Sequence, residues 1–322
     1  MGLQPEGHSR LRPLLPRGGG RGDAHLSRLS PAQPVTDSTV TLRTADGLSL
    51  EVRRWQEDSV PHRWTFVIVH GLGEHSGRYQ HLAARFTPLG ATVYAMDQRG
   101  HGRSGGKRGH APSLDALLDD IDAVVLRARA DDGSPVVLIG HSFGGLLAIA
   151  YALKHADHID RAIFSAPLLK VKQRVPAWKR ALSTVLPRIA PGMTFSNEVD
   201  ASLLSHDPGN GPAYTSDPLV HDHITAGLYG DTIARGEEFI MRAPELRVPF
   251  LLMQGRDDQI VDPVGSQRFF ARAAAPDRAF CLYPGLYHEI FNELDREKVF
   301  QDIESWLTQR TNGHLTGWNP PP

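Results

Sequence analysis

The chain has 322 residues, 35 Lys and Arg against 36 Asp and Glu, a formal net charge of -1 and a single cysteine. That balance excludes a protein that binds nucleic acid through a surplus of basic side chains, and a lone Cys281 excludes a disulfide framework or a cysteine-based zinc site within one chain. No apolar run approaches the roughly 20 residues of a membrane-crossing helix, while the length suffices for a sizeable core.

Residues 1–36 are rich in Arg, Pro and Gly and hold no Phe, Trp or Tyr. Such a segment cannot bury enough apolar surface to offset its ordering entropy, so it reads as a disordered extension. No apolar stretch of secretory type follows its charges, which points to a cytoplasmic protein. Residues 37–310 read as the folded domain and residues 311–322, closing in Pro320-Pro321-Pro322, as a tail.

Thr39 to Thr44 and Leu48 to Arg53 suggest two strands joined by Ala45-Asp46-Gly47, a hairpin signal. Short apolar runs follow at Thr65 to Val69, Thr92 to Met96, Val136 to Ile139, Ala162 to Ser165, Phe250 to Met253 and Phe280 to Tyr283. Their length and continuity suit parallel strands buried on both faces. Between them lie helical patterns. Leu114, Leu117, Leu118, Ile121, Val124 and Val125 recur at helix spacing behind Ser113 as N-cap, and Val299, Phe300, Ile303, Trp306 and Leu307 mark a last amphipathic helix. The alternation implies an α/β fold with a mostly parallel central sheet flanked by helices.

One interval breaks the rhythm. From about residue 168 to 242 no strand is evident, six prolines recur and helix-like pieces such as Trp178 to Leu186 intervene. A structureless loop of that size is improbable inside a compact domain, so the interval reads as a helical insertion, a lid over one end of the sheet. Trp178, Leu182, Val185 and Leu186 form an apolar face with three uses open to it: packing on the body, holding an acyl chain, or touching a membrane or micelle surface.

The strongest local signal is Gly140-His141-Ser142-Phe143-Gly144, after a strand and before a helical stretch. Gly-x-Ser-x-Gly in that context is a nucleophile elbow. The turn is so tight that side chains two residues either side of the serine would collide with neighbouring elements. It lifts the Ser142 hydroxyl above the sheet at the positive end of a helix. A serine needs a base to take its proton, and His288 lies just after the last strand. An acid must orient that histidine. Asp257 and Asp258 both follow the preceding strand, in the chain order Ser, Asp, His expected of this architecture, and spacing favours neither. An oxyanion hole requires two backbone amides. Phe143 would supply one, and Leu72 the other, from the loop His70-Gly71-Leu72-Gly73-Glu74.

With these pieces placed, the chain resembles the monoacylglycerol lipase and lysophospholipase family of α/β-hydrolases, from about residue 36 to 309. The stretches that carry the resemblance are His70 to Tyr79, Asp97 to Ser104, Gly140 to Gly145, Thr215 to Leu219 and Tyr287-His288-Glu289. The resemblance implies an α/β-hydrolase fold with a lid (cap) guarding an acyl tunnel. It assigns the acid to Asp258, supports the Leu72 and Phe143 amides, and implies that Glu74, Arg78 and Tyr214 line the polar end that takes a glycerol leaving group. The sequence departs at Phe291, where animal members carry a histidine near the glycerol, and at Leu72, where they carry a smaller residue.

Other patterns have plainer readings. Asp97-Gln98-Arg99-Gly100-His101-Gly102 lacks the Gly-Lys-Ser/Thr of a phosphate loop and reads as a structural turn. Glu74 and Arg78, four apart, suit a salt bridge organising the oxyanion loop as well as they suit substrate contact. His221-Asp222-His223 and His155-Ala156-Asp157-His158 have metal-like spacing but no third partner that the sequence assigns, so both read as solvated side chains. The expectation is therefore a serine ester hydrolase without metal or cofactor, acting on lipids with one acyl chain, first of all monoacylglycerols. A lysophospholipase or general esterase is the nearest alternative. An aminopeptidase or amidase on the same fold, or a non-catalytic binding protein, are alternatives of another class. The sequence leaves the oligomeric state open.

Overall fold

The computed structural model describes residues 36–172 and 185–311. The expected extension over 1–36, apart from Thr36, the tail from 312, and Trp178 and Leu182 lie outside the described residues. The described residues belong to one compact unit, Gln33–Pro322.

The first two strands, β1 (Thr36–Arg43) and β2 (Ser49–Gln56), form the expected antiparallel hairpin. Then come β3 (Trp64–Val69), helix α1 (Gln80–Phe86), β4 (Ala91–Met96), α2 (Leu114–Asp132), β5 (Val136–His141), α3 (Phe143–Lys154) and β6 (Arg161–Ser165). The insertion carries β7 (Thr194–Ser196), α4 (Asn210–Ser216), β8 (His223–Thr225), α5 (Ala226–Asp231) and α6 (Gly236–Arg242). The chain returns through β9 (Phe250–Gly255), α7 (Pro263–Arg272), β10 (Arg278–Tyr283) and α8 (Arg296–Thr311). Ser113 caps α2 as its spacing implied, its hydroxyl accepting from the Ala116 amide.

The eight-stranded sheet runs β1-β2-β4-β3-β5-β6-β9-β10, parallel from β4 onward. The inner strands β3, β4, β5, β6 and β9 are near-continuous apolar runs because both faces are covered, whereas β1, β2 and β10 toward the edges are only partly buried. Alternate side chains serve opposite cores. Val67, Val69, Val136 and Leu138 join the core built with α2, α3 and α7. Phe66, Ile68, Val137 and Ile139 join the core of α1 and α8, where Phe86, Phe300 and Trp306 are buried.

Strand order positions the site. From β3 the chain moves to β4 on one side, then crosses to β5 on the other. The reversal opens a crevice at the carboxyl ends of β3 and β5, where ligands bind in open α/β sheets. The loop after β3 holds Leu72 and the turn after β5 holds Ser142, so both meet there.

The insertion was expected to contain no strand. It contains a two-stranded antiparallel ladder, Thr194–Ser196 against His223–Thr225. Each strand has three residues, and those of β7 are exposed, so neither offers the apolar run by which a buried strand is recognised. The insertion is tied to the body by backbone hydrogen bonds, His221 to Gly73 (2.8 Å), Thr225 to Gly109 (2.8 Å) and Glu289 to Leu204 (2.7 Å).

The elbow depends on absent side chains. A Cβ on Gly144 would lie 2.1 Å from the Val69 carbonyl oxygen, and one on Gly140 would lie 2.3 Å from that of Gly144. Because the obstacles are backbone, no rotamer change relieves them. Gly144→Ala should therefore lower stability by about 1–3 kcal/mol or more. Thermal melts would show it as a reduced Tm, whereas an unchanged Tm would mean that α3 can move away from β3.

Candidate active site

Ser142 joins β5 to α3 with φ 53° and ψ -116°, a left-handed backbone that costs a non-glycine residue about 1–3 kcal/mol. The turn is clamped on both sides. The Ser142 amide donates to the Ser165 carbonyl (2.9 Å), and the Ser142 carbonyl accepts from Leu146 (3.1 Å) and Leu168 (2.9 Å). The side chain is thereby presented at the crevice while remaining largely buried.

The Ser142 hydroxyl donates to Nε2 of His288 at 2.8 Å. Nδ1 of His288 donates to Oδ2 of Asp258 at 2.7 Å. The two aspartates left open by spacing have separate surroundings. Asp258 is fully buried and faces the imidazole, whereas Asp257 is exposed and accepts from the Gly285 amide (2.9 Å). Burial alone would make protonated His288 less stable, but the Asp258 carboxylate outweighs it and raises the imidazole above its ordinary value. Burial would likewise raise Asp258, but His288 and the Val261 and Ile260 amides outweigh it, and its carboxyl is held below the ordinary range. His141 packs beside His288 in a tilted arrangement, with ring centroids 4.9 Å apart. Burial first, and then the charge of His288, push it down to about 4, so it stays neutral.

Two supporting residues carry no sequence signal. Gln254, inside β9, donates from Nε2 to Asp258 Oδ2 (2.8 Å), and its own Oε1 accepts from Ser266 (2.9 Å). Lys172 donates to the Asp258 carbonyl (2.6 Å). A polar residue in a buried strand is the only hint the sequence held, and it names no partner.

Gly71 begins the oxyanion loop within van der Waals reach of the serine: a Cβ there would sit 3.4 Å from Ser142 Cβ. Leu72 lines the same cavity as Ser142, and Phe143 opens α3, where the first amides have no helical acceptor. Glu74 organises the loop. Its Oε1 accepts from the Gly71 amide (2.5 Å) and the Tyr79 hydroxyl (2.8 Å), its Oε2 from Arg78 (2.9 Å). Arg78 also forks onto Glu289 (2.6 and 2.8 Å) and reaches Asn210 of the insertion (3.1 Å). The Tyr214 ring lies against the guanidinium, 4.8 Å to its centroid. Burial would raise both Glu74 and Glu289, but Arg78 between them outweighs it and holds both carboxyls below their ordinary range.

These residues surround a cavity of about 500 Å³ between the sheet end and the insertion. Ser142, His288, Glu74, Glu289 and Tyr214 form its polar end, and Leu168, Leu186, Leu204, Ile224 and Ile233 are among its apolar walls. A larger cleft of about 970 Å³ lies on the insertion, with Tyr214 in its wall too. It touches neither Ser142, Asp258 nor His288 and so stands apart from their hydrogen-bonded relay.

Asp97 shapes the turn after β4 by accepting from Ser76 (2.8 Å) and Arg103 (2.8 Å). Phe291 is buried against Phe300 and His141 and does not line the cavity. Cys281 is buried in β10. His221 packs on His101 (4.7 Å between centroids) and donates from Nε2 to the Gly100 carbonyl (3.1 Å), a packing role rather than a metal site. His155 and His158 differ, because the fold brings Asp122 to them.

Residues 60–295 match the family described as Hydrolase_4, serine aminopeptidase S33. A monoacylglycerol lipase of Mycolicibacterium smegmatis is 38% identical over 255 residues, covering 79% of this chain and 90% of that one. An uncharacterized abhydrolase domain-containing protein of Dictyostelium discoideum is 39% identical over 278 residues, 86% of this chain, which spans only 29% of that longer protein. The crystal structure of a Paleococcus ferrophilus monoacylglycerol lipase superposes with a TM-score of 0.73 at 36% identity, covering 85% of this chain and 99% of that one. The chain belongs to the monoacylglycerol lipase and lysophospholipase family of α/β-hydrolases and is a serine ester hydrolase.

Proposed function

We propose that this chain hydrolyses monoacylglycerols through an acyl-enzyme formed on Ser142. The observation that carries the reading is the unbroken relay Ser142–His288–Asp258 at the junction of a polar pocket and an apolar cavity. His288 takes the serine proton as the hydroxyl attacks the ester carbonyl. Asp258 holds the imidazole with its proton on Nδ1 and stabilises the cation that forms. The amides of Leu72 and Phe143 receive the oxyanion. His288 then gives its proton to the leaving alcohol and later activates the water that frees the fatty acid.

The head-group reading rests on charge. The polar end holds two buried carboxylates, Glu74 and Glu289, against one guanidinium, Arg78. That excess of negative charge repels the phosphate of a lysophospholipid and tolerates a neutral glycerol. Glu74, Arg78 and Tyr214 would line the glycerol, with Glu74 mainly spent on shaping the loop. The apolar walls suit a single acyl chain, and the insertion serves as the lid above it. Exposed Val185, Ile189, Met193 and Phe195 on that insertion support contact with a membrane or micelle surface. The same negative charge would suit a free amine, which keeps an aminoacyl amide among the substrates to be compared.

Ser142→Ala should reduce turnover to at most the ~10³–10⁴-fold acceleration that binding and an oxyanion hole supply without a nucleophile. Initial rates on a glycerol monoester would check this, and a near-normal rate would sink the assignment. The pH profile follows from the raised pKa of His288. The base must be neutral, so kcat/KM should fall on the acid side with a midpoint above the ordinary imidazole value of about 6.5. Asp258→Asn removes the charge that raises it and should cost about 10⁴ in kcat. A rate flat from pH 5 to 8 would argue against a histidine base. Glycerol monoesters of rising acyl length should outrun the matching lysophospholipid and an aminoacyl amide assayed beside them. Preferred cleavage of the phospholipid or the amide would overturn the head-group reading.

A further inference from the structure

At the end of α3 remote from Ser142, three side chains converge that the hydrolytic site does not use. Asp122 projects from α2, His155 caps the C-terminus of α3, and His158 ends the 3-10 turn Ala156–His158. One ligand atom from each lies within 4.8 Å of the others. His158 Nδ1 is 2.6 Å from Asp122 Oδ1, and the Tyr151 hydroxyl donates to that same oxygen at 2.7 Å. The rings of Tyr151, His155 and His158 stack in a row, with centroids 5.0 and 5.4 Å apart, which holds the two imidazoles side by side. His155 Nε2 is buried and makes no hydrogen bond. A buried imidazole nitrogen with no partner forfeits the hydration it had when unfolded, so its presence calls for a reason.

We propose that Asp122, His155 and His158 bind a divalent transition cation of the zinc type. Two imidazoles and one carboxylate, with water completing the set, suit Zn²⁺ better than the oxygen-seeking Ca²⁺ or Mg²⁺. Tyr151 orients the carboxylate as outer-shell donors do at metal sites. Of the nearby cations, Arg129 pairs with Asp160 (2.9 Å) and donates to the His158 main-chain carbonyl (3.3 and 3.4 Å) rather than to the ligand atoms, and Lys154 pairs with Asp115 (2.6 Å). The His158 side chain is 37% exposed and that of Asp122 22%, so an ion can enter from solvent. Tetrahedral ligands at about 2.0–2.1 Å from zinc stand about 3.3 Å apart. Asp122 and His158 need only part slightly, and His155 swing in. Bound zinc would take the place of the direct contact between His158 and Asp122. It would staple α2 to the end of α3, about 18 Å along the helix from Ser142, and so act on stability rather than on hydrolysis.

The test is titration of the EDTA-treated full chain with ZnCl₂, read by calorimetry and by Tm, in the wild type, His155→Phe and His158→Ala. His155→Phe keeps the ring stack and removes the nitrogen. The proposal expects one saturable zinc site per chain, a raised Tm with zinc, binding weakened by more than about tenfold in both variants, and unchanged ester hydrolysis by metal-free His155→Phe. If that variant fails to fold, His158→Ala carries the comparison. No saturable binding by the wild type, or equal binding in wild type and variants, would overturn the site and assign any bound zinc to other histidines.

Discussion

The close approach of α3 to the end of β3 is the constraint on which the rest depends. Gly144 lies against the Val69 and His70 carbonyls with no room for a side chain. That contact sets the first amides of α3 beside the loop after β3, which is how Leu72 and Phe143 come to flank one serine. Two residues before Gly144, Ser142 holds a left-handed backbone. The strain is local and is held by hydrogen bonds to Ser165 and Leu168, at and just after the end of β6, and to Leu146 in the first turn of α3. In its proposed role as nucleophile, Ser142 would lose little entropy on reacting, because the packing of the sheet already fixes its position.

A second dependence is electrostatic. Glu74 and Glu289 are buried on separate loops, and Arg78 is the cation that both share. Removing one partner of such a group leaves uncompensated buried charge, a loss of about 3–5 kcal/mol. The network therefore couples elements far apart in sequence: the oxyanion loop through Gly71 and Glu74, the segment after His288 through Glu289, and the insertion through Asn210. The result is a site whose shape and charge are set together. Rearranging the insertion would disturb Arg78, the partner of the Glu74 that holds the loop after β3.

Much of this was legible beforehand, for reasons that differ by residue. Ser142 stands in a local pattern because its turn is made by five consecutive residues. The sheet strands are legible because burial on both faces demands continuous apolar runs. Gln254 and Lys172 were not, since their significance is a contact with Asp258 that only strand pairing and loop closure create. The short strands β7 and β8 escaped because each is three residues long and β7 is exposed. Asp122 escaped as a partner of His155 and His158 because α2 and the end of α3 meet only in the folded chain. Spacing within one segment could not supply it.

The sequence by itself determined what local sterics and burial decide: the alternation of strands and helices, the elbow around Ser142, the apolar character of the strands, and the chain order of serine, acid and histidine. Spacing left Asp257 and Asp258 open and the family resemblance named Asp258; the tertiary structure supplies the physical reason, because both follow β9 and only the packing of the final loop aims His288 at Asp258. It alone decided that Glu74, Arg78 and Glu289 share one buried charge network. It alone gave the cavity its polar and apolar ends. Such contacts join residues with no sequence proximity, and their energies depend on burial that no local pattern records.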